Sequence, residues 1–190
     1  QLLQRSVAVA VALRELGVDD SVDAAARALL LFPPGLDFLP AFVGAQLAGW
    51  IPVPTGYPKP HRAMPRLDAA VRDCQPAVIL TDSSSLSTLD RSKLDPLAAA
   101  LPAIAVDELP GAVTADDQPN PPSDSIAFLQ YTSGSTSEPK GVMVAQSNLM
   151  SNLETIRTSF QLPWQQADDS ELRTSVFWLP HYHDMGLIGG

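Results

Sequence analysis

Between Leu129 and Val142 the chain reads Leu-Gln-Tyr-Thr-Ser-Gly-Ser-Thr-Ser-Glu-Pro-Lys-Gly-Val, and few local structures accommodate such a stretch. The apolar run Ile126-Ala-Phe-Leu129 suits a buried strand, and it empties into small or hydroxyl residues from Thr132 to Ser137 before a Pro139-Lys140-Gly141 turn. Thr132, Ser133, Ser135 and Thr136 offer short hydroxyls and backbone N–H groups that can close on an anion from several sides. Glycine at Gly134 and Gly141 removes the Cβ that would block close approach or a positive φ, and Lys140 adds a point charge on a flexible stem. The stretch reads as a phosphate loop. It is not the common nucleotide loop, which needs Gly-Lys-Ser/Thr opening a helix; here Pro139 precedes Lys140 and Val142 follows Gly141. A hydroxyl-rich linker is the competing reading, and a lysine fixed behind a proline is not linker composition.

Around this loop, 190 residues with 45% apolar content can bury a core of one domain or a large piece of one. The first residues already read as mid-helix and the chain stops directly after a motif, so it is expected to be the first part of a larger domain whose C-terminal remainder is absent. A net charge of −9 argues against nucleic acid or an anionic membrane as the main partner. Cys74 is the single cysteine, which excludes an intrachain disulfide and fits a reducing, cytoplasmic setting; it reads as a small core residue. The run Val7 to Leu13 imitates a signal-peptide core, but Arg14-Glu15 follows with no cleavage site, and no stretch is long enough to span a membrane.

In chain order, the apolar spacing predicts a helix over 1–16 closed by Gly17, a buried strand over 26–32 and a helix over 36–48 stopped by Gly49. Trp50-Ile-Pro-Val-Pro54 carries prolines that deny ladder donors, so it is expected as an edge strand or a strand end rather than a central strand. A helix over 62–74 presents Leu67, Ala70, Val71 and Cys74 on one face; strands at 77–81 and 103–106 flank a partly helical 83–101. The acidic, proline-rich segment 107–124 is the candidate flexible connection. Beyond the loop, a short strand at 141–144 leads to a helix over 148–160 that Ser147 caps and that turns Leu149, Leu153, Ile156 and Phe160 inward; 174–179 is the last strand. Strands alternating with helices give an α/β fold, a mostly parallel sheet flanked by helices. In such sheets ligands sit beyond the carboxyl ends of the strands, where both the Thr132 and the His181 loops are expected to emerge.

That last strand delivers a second constellation, Pro180-His-Tyr-His-Asp-Met-Gly186. His181, His183 and Asp184 could suggest a metal, but two histidines at i and i+2 point to opposite sides of an extended segment and no cysteine or third histidine completes a set, so no metal is expected on these residues. Asp184 as a helix cap and His183 as a satisfied core histidine is the structural alternative.

Tyr131-Thr-Ser-Gly-Ser-Thr-Ser-Glu-Pro-Lys-Gly141 resembles the phosphate-loop signature of the adenylate-forming superfamily, with Ser137 where glycine is more common. Trp178-Leu-Pro-His-Tyr-His-Asp-Met-Gly-Leu-Ile-Gly190 resembles the corresponding motif of its fatty acyl-AMP ligases, as do Leu31 to Phe38, Trp50 to Pro54 and Pro76 to Thr81 in order. The resemblance implies the N-terminal part of the AMP-binding large domain. It also implies ATP-dependent activation of a fatty acid to acyl-AMP, with Mg²⁺ held by residues outside this sequence, and transfer to the thiol of an acyl carrier protein or carrier domain. By the same resemblance Thr132, Ser133, Gly134, Ser135, Thr136, Lys140 and Gly141 would hold the phosphates. His183 would place the reacting groups, and Tyr182, Asp184, Met185 and Gly186 would border the acyl and adenylate sites. The rivals are an acyl-CoA synthetase, which shares the first half-reaction, and a non-catalytic ATP-binding relative or folding module. An amino-acid-activating domain would want an acidic residue early in this loop, where His181 and Tyr182 stand.

Overall fold

The computed structural model describes residues 1–17, 25–58, 64–111, 122–132, 139–161, 179–180, 182 and 184–188. In chain order the elements are α1 (Leu2–Glu15), β1 (Arg27–Leu31), α2 (Phe38–Leu47), β2 (Ile51–Thr55), α3 (Pro65–Cys74), β3 (Val78–Thr81), α4 (Ser83–Thr88), a 3₁₀ turn at Arg91–Lys93 and α5 (Pro96–Ala100). They continue with β4 (Ala103–Ala105), β5 (Ile126–Thr132), β6 (Lys140–Ala145), α6 (Gln146–Ser159) and α7 (Asp184–Leu187).

Four strands form a parallel sheet in the order β2-β1-β3-β4. Its central strand β1 is buried on both faces, and the two-residue period sorts its side chains between two cores. Ala28, Leu30 and Phe32 face Val9, Leu13, Phe38 and Phe42 of α1 and α2, whereas Leu29 and Leu31 face Leu67, Val71 and Cys74 of α3. The continuous Leu-Leu-Leu run therefore serves both faces at once. β2 lies at the edge, as its prolines required, yet every residue in it is buried because β5 packs beside it.

Small residues set the spacing of α1 against α2. A Cβ built on Gly44 would lie 2.6 Å from the Ser6 carbonyl oxygen and 2.6 Å from Val9 Cβ, so the helices touch backbone to side chain at that point. This contact rotates α1 so that Ser6, Val9, Ala10 and Leu13 are buried while Leu2, Leu3 and Leu16 remain exposed. Leu2, Leu3 and Leu16 share the apolar spacing that predicts the helix, yet they lie off its packed face. Arg5 donates to Asp37 at the head of α2, and Arg14 donates to the Leu47 carbonyl at its end. Gly17 and Gly49 end their helices at φ +60 and +79; α3 ends on Gln75 at φ 44, a left-handed cap the sequence does not advertise.

Two expectations need correction. The strand after the acidic segment does not stop at Leu129 and does not join the parallel sheet: β5 runs to Thr132 and pairs antiparallel with β6. Tyr131 and Thr132 favour a pleated strand, and antiparallel pairing lets the chain return through a short connection with its backbone groups satisfied. Second, α6 begins at Gln146, and the Ala145 N–H donates to Asn148 Oδ1, so Ser147 lies in the first turn and is not the cap. No residue of α6 is fully buried; Leu149 packs partly buried against the core, whereas Leu153 and Phe160 are 40% and 71% exposed, so among the described residues the stripe meets the core at its start and is open farther along. Most of the candidate connection (112–121) and most of the expected strand at 174–179 lie outside the described residues, and none of the described helices is long and apolar enough to cross a membrane.

Gly44→Ala is expected to lower stability by about 1–3 kcal/mol, through overpacking, as a shift in the urea midpoint with the slope preserved. Gly35→Ala, whose Cβ would meet only the Pro33 carbonyl at 3.9 Å, is the control and should leave the midpoint in place. Equal midpoints for the two variants would contradict the close α1–α2 contact.

Candidate functional site

The segment read from the sequence as a phosphate loop is flanked by the β5–β6 hairpin. Thr132 stands opposite Lys140 and Tyr131 opposite Gly141, so the two feet of that segment are held at one strand spacing. Both Thr132 and Lys140 are exposed. Of the two reasons expected for Gly141, a positive φ is not found, and the close approach is that of a ring: a Cβ there would sit 3.0 Å from Tyr131 Cζ. The missing side chain makes room for the Tyr131 ring. Ser133, Gly134, Ser135 and Thr136 lie outside the described residues, as does His183.

Beside the loop's feet is a cleft of about 250 Å³. One wall is the end of β2, with Pro54, Thr55 and Gly56, and another is α3, with Met64, Arg66, Leu67 and Ala70. Tyr131, Thr132, Pro139 and Tyr182 close it. It therefore opens beyond the carboxyl end of a parallel strand, and the stems of the phosphate loop and the Pro180–Gly186 segment meet at it. Thr55 sends its hydroxyl back to the Leu30 carbonyl at 3.2 Å, and Thr81 does the same to Leu31 at 2.6 Å, which ties down the strand ends on this side.

Two contacts place the second segment. Gln130 Nε2 donates to the Tyr182 carbonyl oxygen at 3.1 Å, and the Tyr182 ring lies about 3.8 Å from where a Gly56 Cβ would stand. Gly186 folds back onto the start of the segment: a Cβ on it would lie 2.2 Å from the Pro180 carbonyl oxygen, which no side chain tolerates. Asp184 and Met185 occupy the first turn of α7. Of the residues singled out in the sequence, the structure thus brings Thr132, Lys140, Gly141, Tyr182 and Gly186 to one corner.

The sequence reading passed over Gln130 and Tyr131. The available signal was a polar residue followed by an aromatic one in an apolar strand directly before the loop. Tyr131 donates from its hydroxyl to Asp73 Oδ2 at 2.6 Å, and Cys74 lies against it. Burial pushes the Cys74 thiol up to about 11, against a small lowering by its hydrogen bond to Tyr131; burial and the Asp73 carboxylate likewise push the Tyr131 phenol well above its ordinary value. Both shifts run away from ionisation near neutrality, and of Asp73, Cys74 and Tyr131 it is Tyr131 that lines the cleft. Among the described residues no group of three or more His, Cys, Asp or Glu is placed to hold a metal ion.

Comparison with known proteins places this arrangement. A family model described as AMP-binding enzyme matches residues 1–190. The chain is 40% identical to the medium-chain-fatty-acid–[acyl-carrier-protein] ligase JamA of Moorena producens, over all of this chain and 31% of that protein. It is 39% identical to the long-chain-fatty-acid–AMP ligase FadD23 of Mycobacterium tuberculosis, over 86% of this chain and 28% of that one. The crystal structure of the fatty acyl-adenylate ligase of L. pneumophila in complex with acyl adenylate and pyrophosphate superposes with a TM-score of 0.79 at 39% identity, covering 100% of this chain and 31% of that chain. The chain thus spans about a third of the length of the relatives it matches.

Cys74 keeps its proton in the folded chain to a higher pH than in the unfolded one, so the folded state binds more protons and stability falls as pH rises. The stability is whole below the ordinary thiol value of 9.0 and is lost toward about 11, with Tyr131 adding to the loss at the upper end. The urea midpoint of the native chain should drop between pH 9 and pH 11, and Cys74→Ala should flatten that drop. Parallel curves for the two proteins would count against the buried thiol.

Proposed function

The chain belongs to the family of AMP-binding enzymes, and on that premise we propose that it forms part of the active site of a fatty acid–AMP ligase. The reaction is ATP-dependent activation of a fatty acid to an acyl adenylate, followed by transfer of the acyl group to a carrier-protein thiol. The observation that carries this reading is the meeting of the phosphate-loop stems with Tyr182 at one cleft whose walls include Pro54, Met64, Leu67 and Ala70. Apolar walls beside an anion-binding loop suit a carboxylate with a hydrocarbon tail better than a substrate with its own ammonium group. The named activities of JamA and FadD23 support the substrate class. A carrier protein as acceptor rests on the JamA name, and a cytoplasmic setting for it belongs to the same proposal.

In the first step a carboxylate oxygen attacks the α-phosphorus of ATP in line. A phosphorus–oxygen bond to the carboxylate forms, the bond to the bridging oxygen breaks, and pyrophosphate leaves with the electron pair. In the second step the carrier thiolate attacks the acyl carbonyl and AMP departs. The work of the protein is placement and charge stabilisation. Thr132, Ser133, Gly134, Ser135, Thr136 and Gly141 would hold the phosphates through hydroxyl and backbone N–H groups, and Lys140 would offset the charge of the departing pyrophosphate. His183 would align the carboxylate with the α-phosphorus, and Tyr182, Asp184, Met185 and Gly186 would shape the pocket around them. ATP would arrive with Mg²⁺, and among the described residues no group of three or more His, Cys, Asp or Glu is placed to hold that ion.

In the full-length enzyme, Lys140→Ala should slow pyrophosphate exchange with a long-chain fatty acid roughly a hundredfold, the effect of removing one preorganised charge contact. A rate unchanged from the native enzyme would remove the phosphate-loop assignment. His183→Ala should lower acyl-adenylate formation much more than it weakens ATP binding, because the lost contact belongs to the reacting pair. A lower melting temperature with an unchanged rate per folded enzyme would make His183 a core histidine.

A further inference from the structure

Gln130 has no part in the roles above, and its surroundings do not explain it as packing. It continues the apolar run Ala127-Phe128-Leu129 and is only 8% exposed. Its Oε1 is buried with no partner among the described residues. A buried acceptor left unpaired destabilises a fold, and an apolar side chain of similar length would fill the position without that cost. Stability is therefore a poor reason for a glutamine here.

The other half of the amide is engaged. Nε2 donates to the carbonyl oxygen of Tyr182 at 3.1 Å, across 52 residues of sequence. On one side of that bond, two residues along β5, Thr132 enters the phosphate loop opposite Lys140. On the other side, Tyr182 leads through His183 into α7, whose Gly186 is clasped against Pro180. A strand is a rigid mount, and β5 is itself held on both faces: Gln46 Nε2 donates to the Ala127 carbonyl at 3.1 Å, and the Tyr131 hydroxyl reaches Asp73.

We infer that Gln130 is a positioning residue that locks the backbone of the Tyr182 segment to the root of the phosphate loop, so that the two site segments keep one mutual geometry during adenylation. The inference rests on the acyl-adenylate reading above. A contact of this kind acts on alignment and not on the affinity of either segment for its own ligand, because the phosphate contacts proposed above begin at Thr132 and do not include Gln130. Its loss belongs in kcat. Misplacing reacting groups by a fraction of their separation is enough to cost about a hundredfold.

The test uses the full-length enzyme with Gln130→Met and Gln130→Glu. Methionine keeps length and burial and removes both the donor and the unpaired acceptor; glutamate keeps the shape and turns the donor into an oxygen facing the Tyr182 carbonyl. Both variants should lose about tenfold to a hundredfold in kcat for pyrophosphate release while KM for ATP stays within about threefold of native. The methionine variant should melt at or above the native temperature. A native kcat per folded enzyme in Gln130→Met would overturn the inference, and so would a methionine variant that melts well below native and loses activity only in step with its folded fraction. If the native enzyme formed no acyl adenylate, the underlying reading would fail first; active native enzyme with indifferent variants would sink the positioning role alone.

Discussion

The pairing of Thr132 with Lys140 is the constraint on which the site depends. A glycine- and serine-rich loop has many conformations, and an anion site made from it is useful only if its ends are fixed before the anion arrives. The β5–β6 hairpin fixes both ends at one strand spacing. It also makes the strand that carries the loop into a mount with neighbours on each side: α2 through Gln46, α3 through the Tyr131–Asp73 bond, and the Tyr182 segment through Gln130. The parallel sheet then serves as the base against which this mount packs, through the buried edge strand β2.

The cleft follows from the same arrangement. Because β5 lies beside β2, the carboxyl end of β2 and the face of α3 leave a gap that, among the described residues, the loop stems and Tyr182 border on the remaining sides. Glycine is needed where backbones meet at this corner. Gly141 makes way for the Tyr131 ring, and Gly186 lies on the Pro180 carbonyl. Neither position is about a positive φ. Each is about the absence of a Cβ in a place already filled.

Much of the fold could be read from the residues because the signals were local. The Leu29–Leu31 run, the α3 face of Leu67, Ala70, Val71 and Cys74, and the glycine stops at Gly17 and Gly49 each depend on near neighbours in the chain. What could not be read was set by distant partners. The rotation of α1 is decided by its contact with Gly44, the left-handed cap at Gln75 carries no glycine, and α6 meets the core at Leu149 while Leu153 and Phe160, on the same helical spacing, stay exposed. At the candidate site, composition marked out the segment after Tyr131 as a phosphate-loop expectation, whereas the hairpin that flanks it and the Gln130 bond to Tyr182 required knowing which segments meet.

The central claim is that this corner directs a carboxylate to the α-phosphorus of ATP. It is tested most directly by following oxygen. The full-length enzyme, given ATP, a fatty acid labelled with ¹⁸O in its carboxylate and a carrier-protein acceptor, should release AMP carrying one labelled oxygen, together with unlabelled pyrophosphate. That pattern requires a bond between the carboxylate and the α-phosphorus, later broken at the acyl carbon. Labelled inorganic phosphate accompanied by ADP would place the attack on the γ-phosphorus and contradict the account.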